Sequence, residues 1–466
     1  MSTISNINEL KSALGKRLLV IDGAMGTAIQ NRNLGPDDFG GPEYEGCNEY
    51  LTVTRPTVIE DIHRSYLEAG ADIIETNTFG STPVVLAEYD LAQEARRLNR
   101  EAASLARRTA DDISTPGKPR FVAGSMGPTT KTISVTGGIT FEELADGYHI
   151  QAAGLIEGGV DLLLLETSQD TLNVKAGLEG IDRAFVELCQ EVPVAIQGTV
   201  EPMGTLLAGQ DVEAFYTSLS HRDLLWIGLN CATGPSFMTD HIRTLASLSK
   251  FPVACVPNAG MPDENGNYNE TPEAMADTVG RFAESGWVNL VGGCCGTVPK
   301  HIELLADMAT GKPVRPGIVS DETRVSGIET LLVDDEVRPA IVGERTNVLG
   351  SRRFRRLIAE GSFEEAAEIG RRQVRNGAHI LDVCLQDPDR DEASDVSDFL
   401  DLVTKKVKAP FMIDSTDSTV IELALTKLQG KSIINSINLE DGKSPVPDRS
   451  TTGSSVWSSP SCWLHR

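Results

Sequence analysis

Two adjacent cysteines in a glycine-rich turn are the residues of this chain best suited to chemistry. Cys294 and Cys295 stand in Val291–Thr297 (VGGCCGT), a turn that follows an apolar run and whose glycines tolerate positive φ. A third thiol, Cys231, also follows an apolar run and opens a loop that contains glycine. Three thiolates at the ends of different strands, with a fourth position left for a ligand, are the arrangement expected of a reactive zinc site. The sequence therefore predicts that these three cysteines bind one Zn2+ ion.

The other cysteines lack such neighbours. A lone cysteine is commonly a small core side chain, so the prediction depends on the three residues together. Eight cysteines in 466 residues, unevenly spaced and without a secretory signal, indicate reduced thiols and metal binding instead of disulfides. We interpret the remaining ones as structural: Cys47, Cys189, Cys255, Cys384 and Cys462.

Charge and hydropathy exclude several classes of partner. The net charge of -25 argues against nucleic acid and against anionic membrane surfaces. No apolar run approaches the roughly 20 residues that cross a bilayer, and the first residues lack the pattern of a signal peptide. We expect a cytoplasmic enzyme of several domains.

One unit recurs through residues 1–316: a short apolar run, a loop rich in Gly, Asn or Thr, and a longer helix-like stretch. The apolar runs are Leu18–Ile21, Asp72–Glu75, Phe121–Gly124, Asp161–Glu166, Val194–Thr199, Leu225–Leu229, Val253–Val256 and Val288–Gly292. The clearest helix-like stretches are Thr57–Ala71, Glu88–Asp111, Phe141–Gly159 and Thr271–Gly286. This α/β alternation predicts a (β/α)8 TIM barrel, and an open doubly wound sheet is the alternative.

The barrel hypothesis gathers the unusual residues at one rim, because the loops after the strands lie together there. Asp22 follows the first run, Glu166 ends the fourth, and Asn258 follows the seventh. Glu166 needs a partner or a cationic ligand if it is buried. Asp22 and Asn258 are equally compatible with a role in shaping their turns.

Three ordered motifs carry a family resemblance. Asp22–Thr27 (DGAMGT), Gly228–Ala232 (GLNCA) and Gly292–Thr297 (GGCCGT) resemble the homocysteine-binding barrel of the homocysteine S-methyltransferase family over about residues 10–316. The resemblance implies that Zn2+, held by Cys231 and the cysteine pair, binds the sulfur of homocysteine as a thiolate. That thiolate would attack a methyl group and form methionine, a step of amino-acid biosynthesis. A free thiol, with a pKa of about 8.5, is mostly protonated at neutral pH, which is why the metal is needed.

The same resemblance implies a substrate-binding role for further residues. Asp22 and Glu166 would hold the ammonium group of homocysteine. Backbone amides in the first loop would hold its carboxylate, from Gly23, Ala24, Met25 and Gly26. Asn258 would be the fourth zinc ligand when substrate is absent. No catalytic residue beyond the zinc site is implied.

A second set of β and α units follows a polar linker over residues 317–337. Residues 338–442 contain four strand candidates, namely the start of Ile341–Asn347, His379–Val383, Phe411–Ser415 and Ser432–Asn438. The motifs are Val342–Asn347 (VGERTN), Met412–Ser415 (MIDS) and Asn435–Asn438 (NSIN). They resemble the first half of the pterin-binding barrel of cobalamin-dependent methionine synthases. The resemblance implies a folate pocket lined by Glu344, Asn347, Asp382, Asp414 and Asn435, although such residues also serve as turn and cap groups.

Four strands do not close a barrel that takes eight, so we expect an incomplete second barrel with unpaired edges and low stability. Residues 443–466 are rich in Ser, Pro and Thr, which predicts disorder or a shifted reading frame. The resemblance implies 5-methyltetrahydrofolate as methyl source and methylcobalamin as carrier. The cobalamin-binding module is absent from this chain, which we expect to be truncated, so that module would be missing or act in trans.

Two other functions stay open. The chain could be a cobalamin-independent homocysteine S-methyltransferase that uses S-methylmethionine or betaine. Alternatively, it could be a non-catalytic remnant that binds zinc and homocysteine.

Overall fold

The structure, a computed structural model, describes residues 3–435. Contacts between Cα atoms divide the chain into two units. The first takes most of the chain up to Val319, and the second takes the chain from Ser320 together with Asp170–Ala176 and Ala208–Arg222. The end of the predicted fourth strand at Asn438, the predicted tail of residues 443–466 and Cys462 lie outside the described residues.

Eight parallel strands form the sheet of the first unit. They are β1 (Leu19–Val20), β2 (Ile73–Glu75), β3 (Phe121–Met126), β4 (Leu162–Ser168), β5 (Val194–Gly198), β6 (Ile227–Asn230), β7 (Val253–Val256) and β8 (Leu290–Val291). Each of β2 to β7 pairs with the next strand along the chain, and β8 pairs with β1. The N–H of Asp72 donates to Val20 O at 2.7 Å and that of Asp22 to Ile73 O at 3.0 Å, which joins β1 to β2. These bonds close the ring, so the predicted TIM barrel is confirmed and the open doubly wound sheet is wrong.

Helices alternate with these strands. Their bounds are α1 (Thr3–Leu14), α2 (Met25–Gln30), α3 (Leu51–Thr54), α4 (Pro56–Glu68), α5 (Pro83–Leu86), α6 (Ala95–Ile113), α7 (Phe141–Glu157), α8 (Thr171–Leu188), α9 (Val212–Leu219), α10 (Pro235–Leu248), α11 (Pro272–Glu284) and α12 (Pro299–Ala309). Short 3-10 turns cover Pro36–Phe39, Pro42–Tyr44, Asn48–Tyr50, Ala87–Tyr89 and Ala92–Glu94. The predicted helix Glu88–Asp111 starts later than expected, because Asp90 is left-handed (φ 58°) and interrupts it.

Burial on both faces explains why the strands are so apolar. Every residue of β3, β4 and β5 is buried. Alternate residues of the strands, such as Phe121, Leu162 and Leu164, form one buried cluster with Leu10 and Leu14 of α1. Side chains therefore fill the interior of the barrel, and a binding site has room only among the loops that follow the strands.

The second unit begins with a feature that the sequence analysis placed in a linker. Residues 324–332 form an antiparallel hairpin of β9 (Arg324–Ser326) and β10 (Thr330–Leu332). A four-stranded parallel sheet follows, with β11 (Val342–Gly343), β12 (Ile380–Val383), β13 (Phe411–Asp414) and β14 (Ile433–Asn435) in that order. Its helices are α13 (Arg352–Ala359), α14 (Phe363–Arg375), α15 (Glu392–Val403) and α16 (Ser418–Leu425). Phe354 and Phe399 pack edge to face in its core, with ring centroids 5.1 Å apart.

Within residues 3–435, no helix is both long and apolar enough to cross a membrane.

Two glycines of α7 provide a test of the barrel packing. A Cβ at Gly154 would lie 2.5 Å from Arg96 O and 2.9 Å from Asn99 Cβ, whereas the nearest atom to a Cβ at Gly147 is 3.5 Å away. We therefore expect Gly154→Ala to lower the free energy of unfolding by about 1–3 kcal/mol through overpacking. Gly147→Ala is the matched control and should be neutral or stabilising by up to ~1 kcal/mol, because alanine favours the helix. Equal guanidinium unfolding curves for the two variants would contradict this packing.

Candidate metal and substrate site

Three cysteine sulfurs converge where β6 and β8 end. The Sγ atoms of Cys231, Cys294 and Cys295 all lie within 4.8 Å of one another, and those of Cys231 and Cys295 are 3.8 Å apart. The loop after β7 is tied to the turn of the cysteine pair, because Cys294 N–H donates to Pro257 O at 2.8 Å and Ala259 N–H donates to Cys295 O at 2.9 Å. Cys231 N–H donates to Val256 O, at the end of β7, at 3.3 Å. Backbone hydrogen bonds thus fix the sulfurs near one another.

The backbone of the two cysteine loops has unusual φ angles, and the sequence analysis predicted only some of them. In the glycine-rich turn only Gly296 has positive φ (79°). Gly292 is required for space instead, since a Cβ there would lie 2.8 Å from Ile21 O and closer still to Ile21 Cγ2. Cys231 and Ala232 are themselves left-handed (φ 59° and 53°), a conformation that costs energy for residues other than glycine. Such strain persists only where the surrounding structure enforces it.

The donor set fits a tetrahedral zinc ion. Zn–S bonds of about 2.3 Å place neighbouring sulfurs roughly 3.8 Å apart in a tetrahedron. The observed separation of Cys231 and Cys295 matches this value. Asn258 is 2% exposed, and its Oδ1 has no hydrogen-bond partner. Its N–H donates to Thr233 O at 3.1 Å, which ties Asn258 to the loop of Cys231. A buried oxygen without a partner in this loop suits the predicted fourth ligand.

The three thiols share their protons. Hydrogen bonds from Cys231 and then Cys294 lower the pKa of the Cys295 thiol to about 3. Donation to Cys231 and Cys295 raises the pKa of Cys294 well above its ordinary value. The contacts within the cluster therefore favour the thiolate form at Cys295.

Three carboxylates lie at or near the carboxyl ends of barrel strands: Asp22 after β1, Glu75 in β2 and Glu166 in β4. Both carboxylate oxygens of Asp22 accept the N–H of Glu75, at 3.2 and 3.1 Å. Glu166 accepts from Ser125 Oγ at 2.5 Å and from Asn230 Nδ2 at 3.1 Å. The side chains of Asp22 and Glu166 are thus held in fixed orientations.

Two of these carboxylates are buried and the third, that of Glu75, is half-buried. Asp22 and Glu166 are 3% and 5% exposed, and no salt bridge to any of the three forms among residues 3–435. Burial raises the pKa of all three, that of Glu166 to about 7, and repulsion from Glu166 raises those of Asp22 and Glu75 further. Buried carboxylates of this kind call for a cationic ligand.

Sequence reasoning missed Glu75, Ser125 and Asn230. Glu75 ends a buried strand, which is the same signal that singled out Glu166, so it could have been found. Ser125 and Asn230 carry no such signal, because their importance comes from a contact with Glu166, which each one reaches from a different strand.

The predicted first loop lies against the cysteine turn. Gly293 N–H donates to Asp22 O at 3.1 Å, and Gly296 N–H donates to Thr27 Oγ1 at 3.0 Å. The Ala24 N–H was predicted to bind the carboxylate of homocysteine. In the structure it donates to Thr297 Oγ1 at 3.2 Å and therefore already has a partner.

The second unit brings together part of its predicted pocket. Asn347 Nδ2 donates to Asp382 Oδ2 at 3.0 Å and to Asp414 Oδ2 at 3.4 Å. Asn435 pairs with Asp414 in the sheet register. Glu344 is exposed just beyond β11, and no hydrogen bond links its side chain to this cluster within residues 3–435.

The buried charge makes stability depend on pH. The pKa of the Glu75 carboxyl is higher in the folded chain than in the unfolded chain. At pH values between these two pKa values the folded state binds more protons than the unfolded state, so stability falls as pH rises. Glu75→Gln removes this loss. We expect the variant to raise the thermal midpoint of the metal-free protein at pH 8, with a smaller gain at pH 5. Glu45→Gln, at an exposed position, is the control, and an equal response at both pH values would contradict the assignment.

Comparison with known proteins agrees with this geometry. The family model described as homocysteine S-methyltransferase matches residues 19–309, and the one described as pterin binding enzyme matches residues 343–450. Solved structures of similar fold include the metallated form of the homocysteine methyltransferase MmuM from Escherichia coli, at 21% identity and a TM-score of 0.52, covering 66% of this chain and 99% of that one. The oxidized form of the same protein is also 21% identical, with a TM-score of 0.50, and the match covers 62% of this chain and 95% of that one. The chain belongs to the homocysteine S-methyltransferase family, and a pterin-binding segment follows the family barrel.

Proposed function

We propose that this chain takes part in a methionine synthase reaction, in which the sulfur of homocysteine accepts a methyl group. The observation that carries the proposal is the meeting of three thiols, within 4.8 Å of one another, in a family barrel that also holds two buried carboxylates, Asp22 and Glu166, at the carboxyl ends of its strands. In the transfer a bond forms between sulfur and the methyl carbon, and the bond from that carbon to the donor breaks. The thiol proton is lost before the transfer, since the thiolate is the nucleophile.

The cysteines hold the metal in this proposal. Cys231, Cys294 and Cys295 would hold Zn2+, which when bound would supply a Lewis acid that keeps a substrate thiol deprotonated at neutral pH. Asn258 offers its unpartnered Oδ1 as a fourth ligand when substrate is absent. The strained backbone at Cys231 holds its sulfur in place for this role.

The carboxylates bind the amino group of homocysteine. Asp22 and Glu166 are already oriented by hydrogen bonds, so a substrate ammonium would meet acceptors that need no rearrangement. Glu75 adds a third negative charge beside them. An ammonium group here would relieve the repulsion that raises their pKa values.

The second unit supports folate as the ultimate donor. The pterin-binding match starts at residue 343, and Asn347, Asp382 and Asp414 form one hydrogen-bonded group there. Carboxylates and amides suit a pterin ring, which is rich in donors and acceptors. We infer that the methyl group comes from 5-methyltetrahydrofolate through methylcobalamin.

A second candidate also has support. The match covers 95% and 99% of the length of the two MmuM structures, so the family barrel makes up nearly the whole of those chains, without a pterin segment. A barrel of this kind could use a sulfonium or betaine donor instead of a corrinoid.

Zinc content tests the metal site. We expect about one zinc per chain in the wild type, loss of zinc in Cys294→Ser, and retention in the control Cys189→Ser, whose thiol is exposed and outside the cluster. Zinc-edge absorption should show one additional sulfur ligand when homocysteine binds. A folded wild-type chain without stoichiometric zinc would remove the thiol-activating site and the proposed function with it.

A donor panel tests the methyl source. We expect the full chain to form methionine from homocysteine and added methylcobalamin, but not from S-methylmethionine or betaine. Turnover with either of the latter two would establish the second candidate. Homocysteine binding without transfer from any donor would identify a non-catalytic remnant.

A further inference from the structure

The fourth barrel strand changes register where Glu166, the proposed ammonium ligand, lies. In the pairing of β4 with β5, Leu165 is opposite Ile196 and Ser168 is opposite Gly198. Three steps along β4 therefore correspond to two steps along β5, so β4 contains one extra residue between these pairs. Extra residues of this kind bend a strand and redirect a side chain, and they are common next to active sites.

The backbone of this shifted segment is strained. Thr167, which follows Glu166, is left-handed with a φ of 53°. Such a conformation is rare for a β-branched residue and persists only where neighbouring groups enforce it. The shifted segment therefore needs a partner that holds it.

Asn230, the last residue of β6, is that partner. Its Oδ1 accepts Thr167 N–H at 2.8 Å, and its Nδ2 donates to Thr167 Oγ1 at 2.9 Å and to Glu166 Oε2 at 3.1 Å. Because a backbone N–H can only donate, Thr167 N–H must face the amide oxygen, and this turns the amide nitrogen toward Glu166. Asn230 is 1% exposed, so these bonds are shielded from water.

A threonine between the two strands completes the network. Thr199 follows β5, and its N–H donates to Ser168 O at 2.9 Å. Its Oγ1 donates to Asn230 O at 3.0 Å. Thr199 thereby joins the carboxyl end of β4 to that of β6.

Asn230 also immediately precedes Cys231 in the chain. Its side chain contacts the carboxylate of Glu166, and its own carbonyl group forms the peptide bond to Cys231. One buried residue therefore fixes the proposed ammonium ligand relative to one of the three thiols.

We propose that Asn230 is a positioning residue for homocysteine, which holds the shifted segment of β4 so that Glu166 meets the ammonium group at a fixed distance from Cys231. The inference deepens the proposed function and rests on it. Homocysteine carries its sulfur and its ammonium group on a short carbon chain, so both ends bind only if the two parts of the site keep their spacing. Without the amide of Asn230, Glu166 loses a donor and the strained segment loses its support.

Two variants separate this role from general stability. Asn230→Ala removes all three side-chain hydrogen bonds. Thr199→Val keeps a β-branched side chain and removes only the hydroxyl that holds the carbonyl of Asn230. The matched control is Asn289→Ala, because Asn289 is a buried asparagine that precedes β8 at the other end of the barrel, and its Oδ1 accepts Val253 N–H at 2.9 Å.

The test compares two thiols by calorimetric titration of the zinc-loaded full chain. Homocysteine carries the ammonium group, and 4-mercaptobutyrate is the same molecule without it. We expect Asn230→Ala to bind homocysteine about 10- to 100-fold more weakly than the wild type, because hydrogen bonds to charged groups are among the stronger ones. Binding of 4-mercaptobutyrate and the zinc content should change little. Thr199→Val should weaken homocysteine binding by about 2- to 10-fold, also without an effect on 4-mercaptobutyrate.

The outcomes distinguish this inference from the proposed function. Unchanged homocysteine binding in Asn230→Ala, or an equal loss for both thiols, would overturn the positioning role and leave the proposed function standing. If Asn230→Ala does not fold, Thr199→Val decides by the same comparison. Asn289→Ala should bind both thiols as the wild type does, and a selective loss of homocysteine binding there would also contradict the role of Asn230.

A second readout needs neither metal nor substrate. In the metal-free chain, amide hydrogen exchange of residues 166–168 should be faster in Asn230→Ala than in the wild type, because Thr167 N–H loses its acceptor. Equal exchange would contradict the support of the shifted segment by Asn230. If the wild type binds no homocysteine, the proposed function fails, and exchange still decides whether Asn230 holds this segment.

Discussion

Negative charge concentrated at one end of the barrel is the constraint on which the site depends. Three carboxyl groups and three thiols occur there, and no basic side chain neutralises the carboxylates within the described residues. Buried charges must be paired, protonated or solvated. Burial and mutual repulsion raise the pKa values of Asp22, Glu75 and Glu166, which favours their protonated forms in the ligand-free chain. Positive charge from ligands would be the other solution.

Closure of the barrel makes this concentration of charge possible. The loops after β1, β7 and β8 bond to one another through Gly293 N–H to Asp22 O and Ala259 N–H to Cys295 O. Because these are backbone contacts between rigid strands, repulsion among the side chains cannot push the loops apart without breaking the hydrogen bonds that hold them. The apolar interior below the rim supplies the stability that the rim lacks.

Much of this arrangement was predictable from the sequence, for identifiable reasons. Strands buried on both faces read as apolar runs, so all eight barrel strands overlap the predicted ones. The cysteines were found because adjacent thiols after an apolar run are rare. The β9–β10 hairpin was missed because each strand has only three residues, of which Val325 and Ser326 alone are buried, so no apolar pattern stands out. The turn glycines were interpreted through φ alone, whereas Gly292 is fixed by the nearby Ile21. Contacts between distant segments leave no local signal.

If Asp22 and Glu166 bind the ammonium group as proposed, their fixed orientation has a consequence for discrimination among thiols. Both carboxylates are held by backbone or side-chain donors before any ligand arrives, so they cannot turn toward water when an unsuitable molecule enters. A thiol without an ammonium group would displace solvent and leave buried carboxylates without a counter-charge. Sites of this kind select by the penalty on the wrong ligand more than by attraction to the right one. The burial that makes the rim unfavourable in isolation would thereby act as a filter against simple mercaptans.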